Sequence, residues 1–277
     1  MHIVICAKQV VDPDGVVHTT LAGATVNGCP ICQETMTRFM RLYAIGDIHG
    51  SLLPLQQLHE MILQDADGFP GQKVLVYLGD YIDRGEHSCE VIDLLLDKPL
   101  TDFEIIHLLG NHEQTLLDFL RHPRAVAAWL TYGGRATLKS YGVSLEPEFT
   151  RPDLERLRDD FAYQFPQRHL EFFQDMQLFY VAGSYCFVHA GIRPGTILPE
   201  QRNEDLLWIR DDFTRSQVRH EHIVVHGHSI TTEVDWNANR IGIDTGAFHT
   251  GVLSCLVLEG EQQRLLQTGQ AGGNLNP

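Results

Sequence analysis

The chain has 277 residues, of which 43% are hydrophobic, enough to bury a large core and to exclude a disordered or fibrous protein. Thirty-six acidic against 21 basic residues leave a formal charge of −15, which argues against unaided capture of nucleic acid or an anionic membrane, and no apolar run of about 18 residues spans one. Fifteen histidines exceed ordinary usage, and since imidazole is the commonest metal ligand they direct attention to a metal site.

Residues 1–39 differ in texture from the rest of the chain. A strand is expected over His2 to Val11, a turn over Asp12-Pro13-Asp14-Gly15, and a polar stretch up to Glu34. This segment reads as an N-terminal extension of uncertain order, a leader ahead of a start near Met36 or Met40. Its first ten residues resemble the opening strand of the electron-transfer flavoprotein beta family, over too short a span to carry a function. Cys29-Pro30-Ile31-Cys32 lacks the second pair that a zinc ribbon needs and reads as incidental. The six cysteines are scattered, so reduced thiols and a cytoplasmic location are expected.

From Arg41 the pattern is strand, polar loop, helix, repeated. Leu42 to Ile45, Val74 to Leu78 and Phe103 to Leu109 are apolar strands. Helices follow, from a Ser51 cap to about Leu63, from Cys89 to Leu96 and from about Glu113 to Leu120. Such alternation predicts an α/β sheet with the loops at the strand C-termini lined along one edge. From about 123 to 174 the chain reads as a helical insert, with helices over Ala125 to Leu130, Ala136 to Tyr141 and Leu154 to Phe165. Short strands near 178–181, 185–188, 223–225, 240–243 and 252–258 predict a second, mixed sheet, so a catalytic domain is expected over 40–269, with residues 270–277 a flexible tail.

The first three strands each end in a loop of Gly, Asp and His or Asn: Gly46-Asp47-Ile48-His49-Gly50, Gly79-Asp80-Tyr81-Ile82-Asp83-Arg84-Gly85 and Gly110-Asn111-His112-Glu113. Asp80 follows Asp47 by 33 residues and Asn111 follows Asp80 by 31, so a strand-helix repeat brings them side by side. Hard oxygen donors mixed with imidazole suit divalent Mn, Fe, Zn or Co.

These loops resemble the phosphoprotein phosphatase (PPP) family of metallophosphoesterases, whose signatures GDxHG, GDxxDRG and GNHE all stand here. Val188-His189-Ala190-Gly191 and Val225-His226-Gly227-His228-Ser229 match two later motifs in family order. The resemblance covers about residues 40 to 260 and is strongest to bacterial serine/threonine protein phosphatases similar to the bacteriophage lambda enzyme. It implies a calcineurin-like α/β fold, two mixed sheets between helices (αββα) with a helical insert. It also implies two divalent metal ions, Mn²⁺ before Fe or Zn, with a bridging hydroxide attacking phosphorus in line. Asp47 and His49 would bind one metal and Asn111, His189 and His228 the other, with Asp80 bridging both.

The same resemblance makes His112 the general acid and Asp83 its orienting partner, and gives Arg84 to the substrate phosphate together with Asn111. Trp208-Ile209-Arg210-Asp211 resembles the segment carrying a second phosphate-binding arginine, which makes Arg210 the candidate. His226 reads as packing beside His228, His107 as a hydrogen-bonded core residue, and Asp244-Thr245-Gly246 as either a site-shaping motif or a closing turn.

The leading expectation is a phosphomonoesterase acting on phosphoserine, phosphothreonine or phosphotyrosine of a phosphoprotein or phosphopeptide, with no nucleic-acid or membrane partner and no oligomeric state indicated. The alternative is a nucleotide hydrolase like symmetrical diadenosine tetraphosphatase, whose members tend to depart from Asp-Arg-Gly and to carry Asp where Glu113 stands. A third reading, an inactive phosphatase fold acting as a binding module, conflicts with the complete set of ligand-type residues.

Overall fold

Strand side chains alternate between two faces, and here both faces are buried. The computed structural model describes residues 6–11, 17–22, 40–97, 100–145 and 153–269. Strands β3 (Met40–Ile45), β4 (Gln72–Tyr77) and β5 (Glu104–His107) run parallel. β11 (Ser254–Glu259) and β12 (Gln262–Gln267) join them antiparallel, in the order β12-β11-β3-β4-β5. A second sheet contains β1 (Cys6–Val11), β2 (Val17–Ala22), β6 (Gln177–Ala182), β7 (Tyr185–Val188), β8 (Ile223–His226), β9 (Asp235–Trp236) and β10 (Arg240–Gly242). Its order is β2-β1-β6-β7-β8-β10-β9, with β7, β8 and β10 parallel and the other pairings antiparallel.

Even-numbered Leu42, Ala44, Val74, Val76, Leu256 and Leu258 pack with Tyr180, Phe187, Val225 and Ile241 between the sheets. Odd-numbered Tyr43, Ile45, Leu75, Tyr77, Cys255 and Val257 pack outward with the helices. This is the expected layering of two mixed sheets between helices. Burial on both faces is also why these strands read as unbroken apolar runs.

Helix α1 (Leu52–Ala66) buries Leu55, Leu58, Ile62 and Ala66 at helical spacing and continues past the expected end at Leu63. Ser51 occupies its N-cap position, but its hydroxyl makes no capping hydrogen bond. α2 (Ser88–Asp97) and α3 (Asn111–Arg121) follow the next two strands. The insert holds a 3₁₀ turn at Ala127–Tyr132 where a helix from Ala125 was expected, then α4 (Gly134–Ser140), α5 (Leu154–Gln164) and α6 (Gln167–Gln174). Short helices α7 (Asn203–Trp208), α8 (Asp211–Thr214) and α9 (Ala247–Thr250) lie in the loops of the second half.

Within the N-terminal segment, the polar stretch expected after residue 15 holds β2, whose Val17, Thr19 and Thr20 are β-branched and favour a strand. β1 pairs with β6, so this hairpin extends the larger sheet. The Cys29-Cys32 pair and residues 270–277 lie outside the described residues. No described helix is long and apolar enough to cross a membrane.

Candidate metal centre and active site

The parallel registers set the site. Ile45 lies opposite Tyr77 and Tyr77 opposite His107, so the loops after β3, β4 and β5 leave the sheet at one level. In the second sheet Phe187 lies opposite Val225 and His226 opposite Gly242, which brings the segments holding His189, His228 and Asp244 to the same end. The loops bind one another directly. The backbone N–H groups of Ile48 and His49 donate to the Asp80 carbonyl at 3.0 and 2.8 Å, and Gly227 N–H donates to the His189 carbonyl at 2.8 Å.

The reversals require unusual backbone. His49, Asp80, Asp83, Arg84 and His228 have φ of 45°, 53°, 70°, 64° and 62°; among the described residues these are the non-glycines with positive φ. Each such conformation costs on the order of 1 kcal/mol or more, and such strain concentrates at functional sites. Two glycines are needed for space. A Cβ on Gly110 would lie 2.2 Å from Asp80 Oδ1, and one on Gly227 would lie 2.0 Å from Asp47 Oδ1.

Asp80 stands at the centre. Its Oδ2 is 3.4 Å from His49 Nε2 and its Oδ1 is 3.4 Å from His189 Nε2, so each carboxylate oxygen faces a different imidazole. Asp47 Oδ2 lies 4.0 Å from His49 Nε2, and the His228 backbone N–H donates to Asp47 Oδ1 and Oδ2 at 3.2 and 3.1 Å. Asn111 Oδ1 is 2.9 Å from His189 Nε2. The six residues expected to hold metal are thus brought together and all are buried.

This donor set fits cations. The Ile82 and Leu78 carbonyls lie 2.7 and 2.8 Å from Nδ1 of His49 and His189; a carbonyl only accepts, so each Nδ1 carries the proton and each Nε2 presents a lone pair. Asn111 Oδ1, His189 Nε2 and Asp80 Oδ1 then turn lone pairs toward one another, and buried His228 Nε2 has no hydrogen-bond partner. Burial pushes His49 down to about 3 and lowers His189 as well, which keeps both imidazoles neutral and able to ligate. Burial, Asp244 and Asp80 together push Asp47 well above the usual carboxylate range, a repulsion that cations would relieve.

His49, Asp80 and His112 form one cluster with ligand atoms within 4.8 Å, and Asp80, His189 and His228 form another. His112 differs from the other imidazoles. Burial opposes its charged form, but Asp80 and the hydrogen bond and charge of Asp83 outweigh burial and raise His112 to about 9. His112 therefore holds a proton where its neighbours offer lone pairs.

The helical insert builds the support for that proton. Asp83 Oδ2 accepts from His112 Nδ1 at 2.5 Å and from Trp129 Nε1 at 2.7 Å, while Thr137 Oγ1 donates to Asp83 Oδ1 at 2.5 Å. Trp129 and Thr137 belong to the insert and carry no motif that would have identified them. Glu113 was also missed as a structural element: its carboxylate accepts backbone N–H bonds from Asp80, Tyr81 and Gly110 at 2.9, 2.9 and 3.0 Å, tying the second loop to the third.

Arg84 is half-buried, with its guanidinium 4.8 Å from the Phe248 ring centroid, and its charge reaches Asp47 and Asp244. Arg210 is exposed, and its Nη1 lies 3.4 Å from the His228 carbonyl, beside the cluster. His226 packs edge-on to Phe213 at 5.1 Å, in keeping with a packing role. Asp244 is buried, with Oδ1 accepting from Gly246 N–H at 3.0 Å. His107 departs from expectation, since its buried Nδ1 has no hydrogen-bond partner and its ring stacks on Tyr77 at 4.9 Å instead.

Comparisons with known proteins bear on the family and the fold. A model of calcineurin-like phosphoesterases matches residues 40–249. The chain is 26% identical over 237 residues to the bis(5′-nucleosyl)-tetraphosphatase PrpE [asymmetrical] of Bacillus thuringiensis (strain Al Hakam), covering 78% of this chain and 90% of that one. Among solved structures, a candidate diadenosine tetraphosphatase aligns with TM-score 0.54 and 21% identity over 84% of this chain and 95% of that one. A protein serine/threonine phosphatase from Saccharomyces cerevisiae, with similarity to human phosphatase PP5, aligns with TM-score 0.51 and 14% identity over 88% of each chain. At these identities the structural likenesses speak for the fold.

Proposed function

This chain belongs to the calcineurin-like phosphoesterase family, and from that membership we propose that it is a metal-dependent hydrolase cutting the polyphosphate bridge of a bis(5′-nucleosyl) tetraphosphate. The observation that carries the substrate is the match to PrpE across 90% of that protein's length. This reverses the order expected from the motifs, which put a protein phosphatase similar to the lambda enzyme first. The departures held against a tetraphosphatase belong to the symmetrical kind, whereas the matched relative is named asymmetrical.

Asp47, His49 and Asp80 would hold one divalent ion, and Asp80, Asn111, His189 and His228 the other. When bound, the pair supplies Lewis acidity and lowers the pKa of water at the site. The chain's own residues do the rest. Arg84 stands beside the cluster on the His49 side to take oxygens of the attacked phosphate, and Arg210, beside His228, takes oxygens of the phosphate chain, the planar guanidinium suiting paired oxygens. Water oxygen bonds to phosphorus as the P–O bond to the leaving phosphate breaks, His112 Nε2 gives its proton to the departing oxygen, and the proton lost by the water passes to solvent, from which His112 is reprotonated. Asp83 holds His112 Nδ1 throughout.

A second reading, a serine/threonine or tyrosine protein phosphatase, is favoured by the His112–Asp83 pair, because an alkoxide leaving group needs a proton more than a phosphate does. One assay separates the two. With Mn²⁺ supplied, the protein is given dinucleoside tetraphosphate and matched phosphoserine, phosphothreonine and phosphotyrosine peptides, and products are resolved by chromatography. Turnover of the dinucleotide with far slower peptide dephosphorylation is expected; peptide turnover with an intact dinucleotide overturns the reading. Zinc or iron in place of Mn²⁺ reads out metal preference.

A further inference from the structure

Beside His228 the surface opens into a cavity of about 410 Å³, within the size range of about 300–1,000 Å³ typical of small-molecule sites. Trp208 lines it. Trp208 is 47% exposed, and its ring and that of His228 lie nearly perpendicular with centroids 6.3 Å apart. Arg210 lines the same cavity next to His228, together with Asp211 and Asp212, whose carboxylates pair with Arg215 and Arg193 at 2.9 and 2.8 Å. An indole and a guanidinium side by side offer a stacking surface next to an anion-binding group.

We propose that this cavity is a nucleoside-phosphate subsite, in which a nucleobase lies against the Trp208 indole while Arg210 holds a phosphate oxygen of the portion of the substrate that is not being attacked. The identification of a base as the occupant rests on the phosphoanhydride reading above. Two features favour it. Base–aromatic stacking needs an accessible aromatic side chain, and Trp208 is about half exposed. The Arg210 guanidinium and the indole both adjoin His228, so a phosphate chain leading to the cluster would start beside the base.

Across Asp80, on the His49 side, Phe248 lies 5.6 Å from His49 and already carries the Arg84 guanidinium 4.8 Å from its centroid.

The test reads the base separately from the phosphate. In wild-type protein turning over p-nitrophenyl phosphate with Mn²⁺, adenosine monophosphate and ribose 5-phosphate compete as inhibitors; they share sugar and phosphate and differ by the base. Adenosine monophosphate is expected to inhibit at about tenfold lower concentration, and equal inhibition constants overturn the subsite. In Trp208→Ala that advantage is expected to fall to about twofold or less, with Trp208→Phe restoring most of it; an advantage preserved in Trp208→Ala overturns the role of the indole. The wild-type comparison needs no variant to fold. Wild-type protein that leaves dinucleoside tetraphosphate intact while showing the adenosine advantage would sink the proposed reaction and leave the subsite standing.

Discussion

Nδ1 of His112 lies 2.5 Å from Asp83 Oδ2, and that carboxylate is held from behind by Trp129 and Thr137 of the insert. His112, the general acid of the proposed reaction, is thus clamped by a segment outside the loops that would hold metal. A proton held this way matters in proportion to the basicity of the group that must receive it.

His112→Asn is therefore expected to lower kcat by about 10²- to 10⁴-fold on any substrate with an alkoxide leaving group, such as a phosphoserine peptide. The loss should be much smaller for p-nitrophenyl phosphate and for the phosphoanhydride, whose leaving groups are weak bases. Trp129→Phe removes the indole N–H from Asp83 and should show the same substrate dependence in weaker form. Steady-state kinetics on the three substrates check this, and an equal loss on all of them would mean that His112 acts in something other than proton donation.

Gly110→Ala tests whether the space around Asp80 is reserved for metal binding. The new Cβ would fall 2.2 Å from Asp80 Oδ1 and 2.3 Å from the Asp80 backbone nitrogen, so the carboxylate and its loop must move. Removing metal from the wild type with a chelator should lower Tm, and returning Mn²⁺ should restore it, because a ligand bound by the folded state stabilises by mass action. In Gly110→Ala, and independently in Gly227→Ala, apparent Mn²⁺ affinity should fall at least about tenfold, a loss comparable to those at supporting residues of metal sites. Calorimetric titration of stripped protein measures it; wild-type affinity in both variants would contradict the assignment.

His107 supplies a test of stability away from the metals. Burial, with a smaller contribution from His59, lowers it from 6.5 to about 3, so the folded protein keeps it neutral while the unfolded chain takes a proton below about pH 6.5. Stability from this site is accordingly full above pH 6.5 and declines as pH falls toward 3. His107→Phe keeps the stacking on Tyr77 and removes the unpartnered Nδ1. The variant should be about 1 kcal/mol more stable at pH 7, with a shallower loss between pH 6.5 and 5. Urea midpoints at the two pH values check both parts.

The sequence by itself determined the layered α/β plan and the loops of the metal centre. Strand, loop and helix are local patterns, and near-regular spacing on a strand-helix repeat puts Asp47, Asp80 and Asn111 side by side. His189 and His228 were legible because their motifs are short and contiguous. Tertiary structure alone decided what stands behind and beside those loops. Trp129 and Thr137 meet Asp83 from 46 and 54 residues away, Phe248 meets Arg84 across the two sheets' loops, and Trp208 meets His228 through a short helix. Helical periodicity places Trp129 and Thr137 in the insert but does not say what they touch. Their contacts arise from how the insert and late loops pack over the sheet ends, and so does the missing partner of His107, which a strand pattern could only place in the core.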